Sequence, residues 1–244
     1  MVTADTSVFG YLMPNWSKSR LVNLYSRFIA ADPSAMVVPL VARMECLESA
    51  IHNVRTGLIQ GMLVDSSLYS IVSNLVDALT TEASVSGVID TIFVAPQKGT
   101  VIGDCSAVKA IASLTDSMEV IPDPVVLMYG GDWETRVAMT ALSGRVTLME
   151  IAAAQTADLD AIPTGCVVEY AGDEKVTTDQ YDLVVNPPDG FSPAPGQSIL
   201  SVTTGNPVKF EATRLAYAVG RFRGLSKQIC LDTAKNYEKN LHTV

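Results

Sequence analysis

Histidine is almost absent from this chain, which has only His52 and His242 in 244 residues. A Ser–His–Asp triad or a histidine-based metal site would have to use one of these two, and we interpret both as ordinary surface or partly buried residues. Cysteine is also scarce: the four cysteines are widely spaced, and none forms the close pair that zinc sites use. The pattern indicates free thiols in a reducing compartment.

Charged residues are few as well, at 18% of the chain against 48% hydrophobic residues, which excludes a disordered protein. The net charge of −9 opposes the neutralisation of phosphates, so a protein that coats nucleic acid is disfavoured. No apolar run approaches the roughly 18 residues of a membrane span. The first ten residues lack the basic and apolar segments of a signal peptide. We therefore expect a soluble protein of a reducing intracellular compartment or of a virion.

Apolar spacing divides the chain into two predicted domains. Residues 1–86 have apolar positions at helical spacing and predict a helical accessory region. Residues 87–205 alternate short runs rich in Val, Ile and Thr with helical segments, which is typical of a mainly parallel sheet. A long amphipathic helix then closes the second domain, residues 87–244. The predicted fold class is α/β, with a Rossmann-like sheet, a helical N-terminal part and a long C-terminal helix.

Several polar or glycine residues follow the predicted strands between residues 121 and 205. Gly130 and Gly131 follow the first run, Glu150 ends the second, and Asn186-Pro187 opens an Asn-Pro-Pro triplet after the fourth. This order resembles the core of class I S-adenosylmethionine-dependent methyltransferases that act on amino or amide nitrogens. The resemblance implies S-adenosylmethionine held by the two glycines and Glu150, with Asn186 and Pro187 positioning the acceptor nitrogen.

The glycine turn departs from that family's pattern. Asp132 and Trp133 stand where the backbone must approach the cofactor, and a third glycine is lacking. A chain so poor in charge must also expose apolar surface, which usually marks protein partners. We therefore expect a non-catalytic structural or assembly subunit without a cofactor, packing against other proteins or copies of itself, for example in a virus capsid. The methyltransferase is the alternative.

The C-terminal helix is locally basic. Its cations are Arg214, Arg221, Arg223 and Lys227. Such a cluster favours either an acidic partner or nucleic acid, or a solvated helix face with ion pairs inside the protein.

Overall fold

A computed structural model of the chain describes residues 7–14, 20–29, 34–41, 44–95, 99–118, 120–152, 167–170 and 180–241. The chain forms two compact units, each with its own sheet. The first unit comprises Met1–Ser106 together with Ala212–Val244, and the second comprises Ala107–Glu211. The predicted α/β class with a mainly parallel Rossmann-like sheet is confirmed.

The first unit contains a mixed six-stranded sheet with the strand order β2-β1-β3-β5-β6-β4. Strand β1 runs parallel to β2 and β3, whereas β5 is antiparallel to both of its neighbours. The strands are β1 (Ser7–Met13), β2 (Ala35–Val41), β3 (Gly61–Val64), β4 (Ala78–Leu79), β5 (Thr91–Val94) and β6 (Val101–Asp104). The helices between them are α1 (Arg20–Ile29), α2 (Met44–Arg55), α3 (Tyr69–Val72) and α4 (Thr81–Ser86).

The structure differs here from the helical prediction for residues 1–86, because β1 to β4 lie within that range. Strand β1 is buried at almost every position, so it lacks the alternation of apolar and polar residues that identifies a half-exposed strand. Strand β2 contains Pro39, a residue that is rare inside sheets. Because β2 pairs only with β1 at the sheet edge, it tolerates a proline.

The second unit contains a five-stranded sheet with the order β11-β10-β7-β8-β9, in which every pair is parallel. All five runs predicted after residue 121 form its strands. They are β7 (Val125–Tyr129), β8 (Leu148–Ala152), β9 (Val167–Tyr170), β10 (Leu183–Val185) and β11 (Ser198–Leu200). Helix α5 (Ser106–Asp116) precedes the sheet, and α6 (Asp132–Leu142) connects β7 to β8. Strands β8 and β9 therefore lie on one side of β7, and the later strands β10 and β11 lie on its other side.

The predicted long C-terminal helix is two helices, α7 (Val208–Arg223) and α8 (Lys227–Leu241). The break lies at Gly224, whose φ of +65° is the left-handed conformation that ends many helices. Gly220, the other glycine near the break, stays helical. A Cβ at Gly220 would lie 2.3 Å from the Cys230 sulfur, so this glycine lets the two helices approach closely.

Two buried aspartates of the first unit receive arginines from α7. Arg214 Nε lies 3.3 Å from Asp90 Oδ2, and Arg221 Nε lies 2.8 Å from Asp104 Oδ2. Both carboxylate side chains are fully buried. Arg223, in turn, donates to the Ser34 carbonyl at 3.2 Å. Arg214, Arg221 and Arg223, which suggested an acidic partner, thus have partners within the protein, and the external partner remains a prediction.

None of the helices in the described part of the chain has the length and apolarity to cross a membrane.

Candidate functional site

The strand order of the second sheet reverses between β7 and β10, which places their carboxyl ends side by side. In the register, Val185 of β10 pairs with Met128 of β7, so both strands end at the same edge. Open parallel sheets bind ligands in the crevice beyond such a reversal. The two segments singled out in the sequence, 130–131 and 186–187, therefore meet at this edge.

The turn after β7 is formed by Gly130 and Gly131. Gly130 has a φ of +158°, and a Cβ there would lie only 3.0 Å from the Glu134 Cβ. Gly131 is the N-cap of α6, with a φ of −81° and no side-chain hydrogen bond to the helix amides. The backbone at the start of an eleven-residue helix is thus approachable, and such helix ends attract phosphate groups. The backbone of this turn is of the type that binds a phosphate group, once the Glu134 carboxylate moves aside.

Glu134 brings a negative charge to the same turn. Its Oε2 lies 3.0 Å from the place a Cβ on Gly131 would take, and its Oε1 lies 3.4 Å from the Thr203 hydroxyl. As the third residue of α6, it is placed like the acidic member of a capping box. A bound phosphate would compete with this carboxylate or displace it. The sequence prediction for this turn considered Asp132 and Trp133 but not Glu134. The position of Glu134, three residues after Gly131, is the feature of the sequence that could have identified it.

Asn186 connects the ends of β10 and β11. Its Oδ1 accepts hydrogen bonds from the backbone amides of residues 202, 203 and 204, at 3.3, 2.8 and 3.0 Å, and from the hydroxyls of Thr203 and Thr204. The residue is 3% exposed, and its φ of +55° is a left-handed conformation that asparagine tolerates. Its amide nitrogen lies 3.6 Å from the Cβ position of Gly130. Because Oδ1 is fully engaged, this oxygen is not available to hold an acceptor amine.

Pro187 takes part in the same connection, since its carbonyl accepts the Thr204 hydroxyl. The two residues predicted to position a substrate nitrogen thus fix the loop after β11.

Glu150 lies in the middle of β8, opposite Leu127, and not at the strand's end, which is Ala152. Its carboxylate accepts a hydrogen bond from the Tyr181 hydroxyl. Burial, which is the larger cause, and this hydrogen bond together raise the pKa of Tyr181 to about 12. The acid predicted to bind ribose is therefore two residues back from the edge and already has a partner, and its role towards a ligand remains a prediction.

The Tyr181 phenol gives a direct test of this pair. We expect one tyrosine of the native protein to ionise only near its pKa of about 12, measured by ultraviolet absorbance, and Tyr181→Phe to remove that step. Since the folded-state pKa is raised, the stabilisation is complete below about pH 10 and is lost as the pH rises through the folded value. Glu150→Gln should lower the pKa of Tyr181, but not as far as the ordinary value of a tyrosine, because the burial remains. A Tyr181→Phe protein that keeps the late step would contradict the assignment.

The first unit carries a separate recess of about 600 Å³ between the amino end of β1 and the last turn of α7. Arg55 and Arg223 lie in its wall. Arg55 is held by Asp77, 2.9 Å away, and Arg223 donates to Ser34. Both guanidinium groups therefore already serve contacts within the first unit.

The fold of the chain has counterparts among solved proteins. A shikimate dehydrogenase in complex with NADP+ matches with a TM-score of 0.73 at 14% identity, over 98% of this chain and 97% of that chain. The ligand-free 5-ketofructose reductase of a Gluconobacter species matches with a TM-score of 0.72 at 12% identity, over 96% and 99%. The shikimate 5-dehydrogenase of Listeria monocytogenes, in complex with shikimate and NAD, gives 0.72 at 12% identity, over 96% of both chains. No family model matches the sequence, and no curated protein does.

These likenesses correct the resemblance to methyltransferases. The solved neighbours are dehydrogenases and reductases, and they match both units, whereas the methyltransferase pattern covered residues 121–205 alone. The error has a physical cause. Buried parallel strands that end in glycine or polar residues are common to folds that bind quite different nucleotides.

The expected cofactor-free assembly subunit, as in a virus capsid, is wrong for the same reason. Enzymes of oxidoreductase type share the fold over nearly the full length of the chain. Two of the neighbours are complexes with NADP+ or NAD, which contradicts both the absence of a cofactor and the choice of S-adenosylmethionine.

Proposed function

We propose that this protein binds a nicotinamide dinucleotide in its second unit and acts as an oxidoreductase that interconverts an alcohol and a ketone. The observation that carries the proposal is the Gly130–Gly131 turn, which leads into α6 beside Asn186 at the strand-order reversal. The full-length likeness to shikimate dehydrogenases and to 5-ketofructose reductase supports it. The names of those neighbours favour a small, hydroxyl-rich substrate.

The diphosphate would be held by the backbone amides at the start of α6, with Gly131 allowing close approach. When bound, the nicotinamide ring supplies the hydride donor or acceptor of the reaction. Asn186 keeps the residue 202–204 loop fixed beside the turn, so the crevice keeps its shape when a ligand enters. Glu134 holds a carboxylate near the diphosphate position and must move aside.

Trp133, the second residue of α6, is a built-in reporter of binding at this turn. We expect NADH to quench tryptophan fluorescence saturably, and the quenching to fall strongly in Trp133→Phe. Gly131→Ala should weaken binding about tenfold, because the methyl group occupies the surface of closest approach. The new Cβ meets only the movable end of Glu134, and the backbone conformation suits any residue, so the fold should persist.

A matched control for that variant is Thr140→Ala on the same helix. The Thr140 hydroxyl bonds only to the Arg136 carbonyl within α6, so its loss should leave NADH binding unchanged. If neither NADH nor NADPH quenches the fluorescence saturably, the proposed function is wrong.

Removing the charge of Glu134 should tighten binding. We expect Glu134→Gln to lower the Kd of NADH about three- to tenfold at low salt, since a carboxylate no longer faces the diphosphate. Glu169→Gln, an equal charge change at an exposed position of β9, is the control and should have little effect. Equal responses in the two variants would show that only the overall charge matters.

A further inference from the structure

We infer that the second unit accepts NAD(H) in preference to NADP(H). This inference rests on the proposed function and concerns the ligand of the same site. The two cofactors differ by a single phosphate on the 2′-hydroxyl of the adenosine ribose, which carries close to two negative charges at neutral pH. The question is therefore whether the protein offers a positive charge where that phosphate would lie.

The charge of the chain is concentrated in the second unit. Residues 107–211 contain fifteen acidic and five basic residues, a net charge of −10, whereas the whole chain has −9. The first unit is thus close to neutral. The five basic residues are Lys109, Arg136, Arg145, Lys175 and Lys209. A second unit of this charge repels each further phosphate that a ligand carries.

The ribose of a dinucleotide lies at the carboxyl end of the strand that follows the glycine turn and its helix. In this protein that strand is β8, which pairs with β7 over its full length and ends at Ala152. No lysine or arginine occurs in the sequence from residue 146 to residue 174. The described strands β8 and β9 therefore carry no guanidinium or ammonium group for a 2′-phosphate, whereas a free ribose hydroxyl needs none.

Of the described cations of the second unit, Arg136 and Arg145 are the two that most closely precede β8 in the sequence. Arg145 lies before the strand's amino end and pairs with Asp116 at 2.5 Å. Four residue steps of β8 separate that end from Ala152, a distance of about 13 Å. Arg136 lies in the second turn of α6, after the glycine turn, and its substitution shows whether it serves a 2′-phosphate.

The test compares the Kd of NADH and NADPH on the full-length protein, with tryptophan fluorescence as the readout. We expect NADPH to bind about tenfold more weakly or worse at low ionic strength. The gap should narrow at about 0.5 M salt, because it arises from charge repulsion that salt screens. Arg136→Gln should leave the ratio of the two Kd values unchanged, and Gly131→Ala should weaken both ligands alike.

The outcomes distinguish the preference for NAD(H) from the proposed function on which it rests. Equal or tighter binding of NADPH overturns the inference and leaves the proposed function standing. A selective loss of NADPH binding in Arg136→Gln also overturns it, since that arginine would then be the missing counter-charge. Failure of both ligands to bind overturns the proposed function itself.

Discussion

Replacing Arg214 with methionine is expected to destabilise the first unit by about 3–5 kcal/mol. Arg214 is 2% exposed, and it faces Asp90, whose side chain is fully buried. Without the arginine, Asp90 keeps its hydrogen bonds from Thr91 and Ser106 but loses the buried positive charge of Arg214. Urea unfolding followed by circular dichroism measures the loss.

A double-mutant cycle shows whether the loss comes from the uncompensated charge. Asp90→Asn keeps a polar group next to Thr91 and Ser106, so we expect Asp90→Asn combined with Arg214→Met to cost less than the two single changes added together. Arg221→Met is the matched comparison on the same helix. Its side chain is 42% exposed, so water can reach Asp104 when it is removed, and the cost should be smaller. A larger loss at Arg221 than at Arg214 would contradict this account.

Replacing Asn186 with alanine is expected to destabilise the second unit by about 2–4 kcal/mol. Three backbone amides and two hydroxyls lose one shared acceptor, and alanine is unfavourable at a φ of +55°. Thermal unfolding of the variant gives the magnitude. The loosened loop should also weaken NADH binding, because the Asn186 amide lies beside Gly130.

Two further variants at this position separate the causes. Asn186→Gly keeps the left-handed backbone at no steric cost but removes the acceptor, and it should be nearly as unstable as the alanine variant. Asn186→Asp keeps the acceptor oxygen and should retain most of the stability. If the glycine variant were as stable as the natural protein, the hydrogen bonds of Oδ1 would not be what holds the loop.

The second sheet was predictable from the sequence, and the first sheet was not. In the second unit, several apolar runs end at a glycine, a proline or a polar residue, as at Gly130 and Asn186, so the strands were visible in the sequence. In β1 and β2 the apolar residues continue without alternation and include Pro39, which conceals the strands. Helical spacing alone could not distinguish them from helices.

The proximity of the candidate residues was predictable and the cofactor predicted for them was wrong, while their role as a binding site stays a prediction. The sequence placed Gly130, Gly131 and Asn186 at strand ends, and the structure brings these residues together. It could not show that Asn186 Oδ1 is used by the loop after β11, that Glu134 lies over the turn, or that Glu150 is held by Tyr181. Each of these depends on pairing between segments distant in the chain.

The first unit is completed only by residues after 211, so the second unit is an insertion between its two parts. During synthesis, Asp90 and Asp104 leave the ribosome more than a hundred residues before the arginines that neutralise them. The contiguous second unit has all of its strands earlier and is free to fold first. Synthesis of α7 and α8, rather than emergence of the N-terminal strands, therefore sets the moment at which the first unit becomes stable.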